Sequence, residues 1–192
     1  MPELLQRLQS RLESLPGGLQ THIYRVRDEA LELAGRHGID LEQAELGALA
    51  HDVCRAVPSP DLLRMSTELG VNVSEVEQDF PLLLHGPVGA ELLRREEDLT
   101  DHDLYEAVRW HSTAHASLAP LGKLIFLADK LDPQKAAVYS YQARLRDMAL
   151  ENLDLALLEF LSREMTTRLE RGETVHPASL EARNSLILQL RA

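Results

Sequence analysis

Cysteine, aromatic residues and positive charge are all scarce in this chain of 192 residues. The single cysteine, Cys54, excludes an intrachain disulfide, so packing must hold the fold, and a free thiol suits a reducing compartment. Aromatics make up only 4% of the residues, and alternation of polar and apolar residues is confined to short stretches, which argues against a sheet-based core. Lys and Arg number 20 against 31 Asp and Glu, for a formal net charge of −11 and a pI near 5.2. That field repels a polyanionic backbone, so no nucleic-acid-binding face is expected, although a small phosphate ligand can still be held by local cations at short range. No run approaches the roughly eighteen apolar residues of a membrane span. The opening MPELLQRLQSRLESL is amphipathic and carries acids, unlike a secretory signal. A cytoplasmic protein with no membrane partner is the expectation. A Walker loop, a GxGxxG fingerprint and a serine or cysteine nucleophile motif are missing too.

What is abundant is leucine and alanine at helical spacing, and one all-α domain over residues 1–192 is expected. Leucines at 4, 5, 8, 12 and 15 predict a helix over Pro2–Leu15, stopped by Pro16-Gly17-Gly18. A second helix spans Thr21–His37 with His22 in its first turn and Gly38 as C-cap. Asp40 caps a third, Leu41 to about Cys54, which carries His51 and Asp52 near its end. Asp61–Leu69 reads as a short helix, residues 71–73 as loop, and Ser74 as a cap. Phe80-Pro81 introduces LLLHGPVGAELLRRE, a helical run broken at Gly86-Pro87, with His85 at the break. Thr100 or Asp101 caps a helix that ends at Trp110 and delivers His111. After a loop from Ser112 to Pro120, the apolar stretch Leu121–Leu131 carries Asp129. Helical patterns over Tyr139–Leu150, Leu153–Leu169 and Leu180–Leu190 complete the chain.

Six residues recur at comparable places, on apolar helices near an end or a break: His22, His51, Asp52, His85, His111 and Asp129. Imidazole and carboxylate without thiol suit Fe, Mn, Co, Ni or Zn. His51 and Asp52 are about 100° apart around a helix, so both can lean toward one point, and the Asp52 carboxylate can bridge two ions. His22, His51, Asp52 and Asp129 can form one ion's shell, while His85 and His111 hold a second ion or touch phosphate. Two ions about 3.5–4 Å apart activate water for in-line displacement at phosphorus, with Asp52 and His51 as the catalytic residues and no side-chain nucleophile needed. A lone histidine in a helical protein is usually just core or surface. On that basis His37 is a helix-terminal cation and His102 faces solvent. The order H…HD…H…H…D is what carries weight.

The pieces THIYRV, ALAHDVCR, LLLHGPVGAELL, AVRWHST, IFLADKLDP and VHPASLEARN resemble the HD superfamily of metal phosphohydrolases, and more narrowly the YqeK family of symmetrical diadenosine tetraphosphate hydrolases. The resemblance implies a helical bundle around a metal site, with a core over about residues 19–135 and a helical portion, 136–192, completing the nucleotide site. It implies one or two ions, iron in preference to Mn, Co, Ni or Zn, and cleavage of diadenosine tetraphosphate to two ADP. His22, His51, Asp52 and Asp129 then carry over as the primary metal shell, and His85 and His111 as second-ion or phosphate contacts. Arg55 and Lys135 become phosphate-binding cations, and Thr174, Val175, His176 and Pro177 lie beside the nucleotide. Three positions depart from the family pattern. Thr113-Ala114 stands for Thr-Gly and is followed by His115, Asp132-Pro133 stands for Glu-Pro, and Lys135 replaces an arginine. They bear on substrate preference rather than on metal ligation. The same site acting on another nucleotide, such as a nucleoside monophosphate, is one alternative, and a non-catalytic nucleotide sensor is another. The leucine stripe of residues 4–15 suits its own domain or a second copy in a homodimer.

Overall fold

The structure, a computed structural model, describes residues 2–191. The N-terminal leucines form α1 (Pro2–Glu13), whose Leu8 and Leu12 are buried against the helix that carries the His-Asp pair. Arg11 fixes its position by hydrogen-bonding Glu96 at 2.7 Å and Glu97 at 2.9 Å. The stripe whose partner the sequence left open therefore packs on its own chain.

α2 (Gly17–His37) starts four residues earlier than the sequence indicates. Gly17 and Gly18 do not stop a helix there. The Pro16 carbonyl accepts the first helical bonds, from the amides of Leu19 and Gln20, and this places His22 in the second turn. At the other end Gly38 takes the left-handed conformation, φ 66°, that closes the helix. α3 (Leu41–Ala50), capped by Asp40, is shorter than expected. Past Ala50 the bonds tighten to three-residue spacing, as from Arg55 to the Asp52 carbonyl, and His51 and Asp52 fall at the helix end and in a turn.

α4 (Ser59–Leu69) and the short α5 (Glu75–Asp79), opened by a capping box of Ser74 and Glu77, lead into a 3-10 turn over Pro81–Leu84. α6 (His85–Glu96) then runs without interruption. The expected break at Gly86-Pro87 lies instead just before His85, because Pro87 occupies the first helical turn, where no intrahelical N–H is required. Asp101, not Thr100, caps α7 (His102–Trp110), accepting from the Leu104 amide at 2.9 Å.

α8 (Pro120–Lys130) is buried almost all round, as its apolar sequence demands. It packs against α2, α3 and α7. Gly47 permits the approach of α3, since a Cβ there would lie 2.9 Å from Ile125 Cγ1. After a 3-10 turn over Pro133–Lys135 come α9 (Gln142–Glu151), α10 (Leu153–Glu170) and α11 (Pro177–Arg191). α9 begins three residues later than predicted, and α11 three earlier, with Pro177 as its first residue. His37 is more than a helix-end charge, for its Nε2 bonds the Ala149 carbonyl at 2.6 Å and ties α2 to α9. One hydrophobic cluster extends from Leu4 to Leu186. Among the described residues there is no strand, and no helix is long and apolar enough to cross a membrane.

Candidate metal centre

Five helices direct one or two side chains each to a common point. α2 contributes His22, the end of α3 His51 and Asp52, the first residue of α6 His85, the end of α7 His111, and the last turn of α8 Asp129. Gly86 makes the meeting of α6 and α7 close enough, because a Cβ there would stand 2.7 Å from the Arg109 carbonyl oxygen.

The six side chains form two groups of three, His22–His51–Asp129 and Asp52–His85–His111. His22 Nε2 lies 3.1 Å from Asp129 Oδ1, and His51 Nε2 lies 3.9 Å from the same oxygen. In the second group His85 Nε2 and His111 Nε2 are 3.1 and 3.3 Å from Asp52 Oδ1. The other Asp52 oxygen, Oδ2, turns back to the first group, 3.5 Å from His22 Nε2 and 3.6 Å from His51 Nε2. The sequence places Asp52 in the primary shell with His22, His51 and Asp129 and allows its carboxylate to bridge two ions. In the structure its two oxygens divide between the groups.

The tautomers follow from the bonds on the far side of each ring. His51 and His111 each donate Nδ1–H to the carbonyl three residues back, Ala48 at 2.6 Å and Val108 at 2.7 Å, and His85 does the same to Leu82. His22 Nδ1 donates to Asp132 Oδ2 at 2.5 Å, and Arg25 clamps that carboxylate through Nε at 2.7 Å and Nη2 at 2.9 Å. All four Nε2 atoms are thereby left as acceptors aimed inward, an arrangement shared by metal-ligating histidines. His51 Nε2 is buried and has no hydrogen-bond partner among the described residues. His85 Nε2 and His111 Nε2 face each other at 2.8 Å, two lone pairs that repel unless a cation or proton lies between them. A divalent ion answers both features, so the donor set fits one.

The protonation states of His51, His111, Asp52 and Asp129 agree. Burial lowers the pKa of His51, and burial with the neighbouring His85 and His51 lowers that of His111 to about 4. Burial pushes Asp52 upward, but the surrounding imidazoles outweigh it and hold the carboxyl well below its usual range. Asp129 behaves alike, with Lys130, Lys135 and His22 prevailing over burial. Neutral imidazole is the ligand form of His51 and His111 and ionised carboxylate that of Asp52 and Asp129, whereas for His22 burial is outweighed by the bonds to Asp129 and Asp132, which raise its pKa.

The predicted cations lie close by. Arg55 and Lys135 line a cavity of about 440 Å³ together with His22, Asp52, His85, His111 and Asp129, behind which His51 is fully buried, and Lys135 is ion-paired with Asp129 Oδ1. Thr174, Val175 and His176 do not reach this cluster. They line an adjoining cavity of about 650 Å³, walled by Phe126, Tyr139 and Phe160. Pro177 is absent from that lining and starts α11 instead, because an N–H is not needed at a helix's first position. The two cavities share Phe80, Leu83, Ser112 and Lys130.

Several participants escaped the sequence reading. Asp132 stands out in the sequence only as a departure from a motif, and Arg25, Lys130 and Ser112 carry no functional signal of their own there. Arg25 lies three residues after His22 on one helix face, a spacing that could have flagged it once the Asp132 contact was suspected. Ala114 holds φ 61°, a left-handed conformation glycine prefers, which accounts for the glycine expected there by resemblance. His115 stacks on Trp110 with ring centroids 4.6 Å apart.

Comparison with known proteins adds to this picture. The model of the HD domain matches residues 19–134. A symmetrical bis(5'-nucleosyl)-tetraphosphatase of Halalkalibacterium halodurans is 31% identical over 170 residues, 88% of each chain. A protein of the same name from Bacillus subtilis is 28% identical over 166 residues, 86% of this chain and 88% of that one. Among solved structures, that of a predicted HD superfamily hydrolase involved in NAD metabolism from Clostridium acetobutylicum is 28% identical. It superposes with a TM-score of 0.90 over 96% of this chain and 97% of its own.

Proposed function

The chain belongs to the HD-domain family, and from that premise we propose that it hydrolyses dinucleoside polyphosphates, cutting diadenosine tetraphosphate symmetrically into two molecules of ADP. The observation that carries this reading is Asp52, whose two oxygens face two separate histidine groups. That geometry suits a carboxylate shared by two ions. Divalent ions, iron in this reading and Mn, Co, Ni or Zn by the same donor chemistry, supply Lewis acidity and an acidified water.

The protein's own groups do the rest. His22, His51 and Asp129 form one holding group and His85 with His111 the other, each oriented by its outer hydrogen bond. Arg55 and Lys135, in the cavity lined by His22, Asp52, His85, His111 and Asp129, offer charge to phosphate oxygens where the chain as a whole is acidic. The adjoining cavity lies within the usual size range of ligand sites and is walled by aromatic rings, as a nucleoside requires. The names of the two relatives supply the substrate class.

The test is chromatographic product analysis after incubation of metal-loaded protein with diadenosine tetraphosphate, with Asp52→Ala alongside. ADP as sole product, absent with the variant, is the expected result. AMP with ATP would replace symmetrical by asymmetric attack. Turnover of nucleoside monophosphates in preference would overturn the substrate assignment.

A further inference from the structure

Ser112 and Lys130 stand at the passage between the two cavities, and neither is among the six candidate ligands, although Lys130 is ion-paired with one of them, Asp129. Ser112 Oγ is buried and has no hydrogen-bond partner among the described residues, an unfavourable condition for a hydroxyl that a ligand acceptor would relieve. Lys130 is 8% exposed. Its Nζ donates to Asp129 Oδ2 at 2.6 Å and to the His111 carbonyl at 3.3 Å, and lies 4.7 Å from the centre of the Phe126 ring. An ammonium has three donors, so one remains after those two bonds. Ser112 directly follows His111, whose carbonyl accepts from the Lys130 ammonium, so both residues border the same peptide. Phe80 and Leu83 make the apolar side of the passage.

Resting on the proposed hydrolysis of a dinucleoside polyphosphate, we infer that Ser112 and Lys130 hold the phosphate attached to the nucleoside and so determine which anhydride bond is cut. With the nucleoside among Phe126, Tyr139 and Phe160, its first phosphate occupies the passage. The second phosphate then stands among Asp52, His85 and His111. Water's oxygen bonds to that second phosphorus while the bond to the oxygen bridging the third breaks. The electron pair leaves on the departing nucleoside diphosphate, and water's protons pass to the product phosphates or to bulk solvent. A nucleoside diphosphate is released from each side, so the register of cleavage is built into the wall between the cavities.

The test is calorimetric titration of the full-length protein, loaded with one divalent ion, with ADP, AMP and adenosine, for wild type, Ser112→Ala and Ser112→Thr. A lost hydrogen bond to a charged group corresponds to roughly tenfold or more in affinity. Ser112→Ala is expected to weaken ADP and AMP by about that factor and to leave adenosine unchanged, while Ser112→Thr, which keeps the hydroxyl, retains ADP binding. From diadenosine tetraphosphate the alanine variant is expected to release AMP and ATP beside ADP. Unchanged ADP affinity, or equal weakening of ADP and adenosine, overturns the assignment. Wild-type cleavage to ADP with an unaltered Ser112→Ala product pattern also overturns it, and leaves the proposed function standing. Loss of ADP binding in Ser112→Ala, in a wild type that does not turn over diadenosine tetraphosphate, supports the passage and removes the proposed reaction.

Discussion

At the scale of single residues, Asp132 shows how a group outside the six candidate ligands orients one of them. Its carboxylate fixes the His22 ring through Nδ1 and is itself fixed by Arg25. Partners of this kind are worth roughly tenfold to hundredfold in metal affinity. Asp132→Asn is expected to lower metal affinity by about that factor with helical content unchanged. Metal titration followed by circular dichroism measures both, and full retention of affinity would deny Asp132 its orienting part. The shortening of Glu to Asp at this position, seen in the motif as a departure, leaves the carboxylate within hydrogen-bond distance of His22, so His22 can still be oriented. Glu77 offers a pH-dependent counterpart away from the ligands. Burial raises its pKa, but the His176 ring 3.7 Å away and the Ser74 hydroxyl and amide outweigh burial and bring it below its ordinary 4.5. A depressed carboxyl contributes stability that is full above the ordinary value and is lost as pH falls through the folded one. The stability difference between wild type and Glu77→Gln should therefore be largest at neutral pH and vanish on acidification below 4.5. Urea unfolding across that range reads it, and a difference independent of pH would remove the carboxylate's role.

At the scale of elements, the decisive feature is how closely helices meet. α6 reaches the end of α7 only because Gly86 has no side chain, and the obstacle to a larger residue is the Arg109 backbone, which cannot rotate away. Gly86→Ala should cost about 1–3 kcal/mol and displace His85 from His111. At Gly17 nothing lies within 4 Å of the added Cβ, and alanine there should be neutral or stabilising by up to about 1 kcal/mol. Thermal unfolding of the two variants, with activity, distinguishes them. Equal effects would mean that the α6–α7 approach is not tight. The same scale shows where sequence reading falls short. Pro16-Gly17-Gly18 looks like a stop, and Gly86-Pro87 looks like a break. Both proved to be first turns of helices, because the opening turn needs no internal N–H partner and tolerates both residue types.

At the scale of the whole molecule, the six candidate ligands come from five helices spread over residues 22 to 129, so an ion held by them would clamp the core of the fold at one point. A ligand bound only by the folded state at a hundred times its Kd adds about 2.7 kcal/mol. Removal of divalent ions by a chelator should lower the unfolding temperature of the wild type in one transition, and re-addition should restore it. Asp52→Ala should show little of this dependence. A wild-type midpoint indifferent to metal would argue against ligation by these residues.

The chain's sequence by itself determined the all-helical class, since abundant leucine and alanine at helical spacing left strands no core to build. It also made the six candidate ligands legible, because imidazole and carboxylate on apolar helices are expensive to bury without a purpose. Tertiary structure alone decided what those residues do to each other. Which histidines face each oxygen of Asp52, the grip of Asp132 on a histidine 110 positions away, and the separation of Thr174–His176 into a neighbouring cavity all depend on distances between helices far apart in sequence. Local periodicity tells a helix which face to bury, but only packing sets which faces meet.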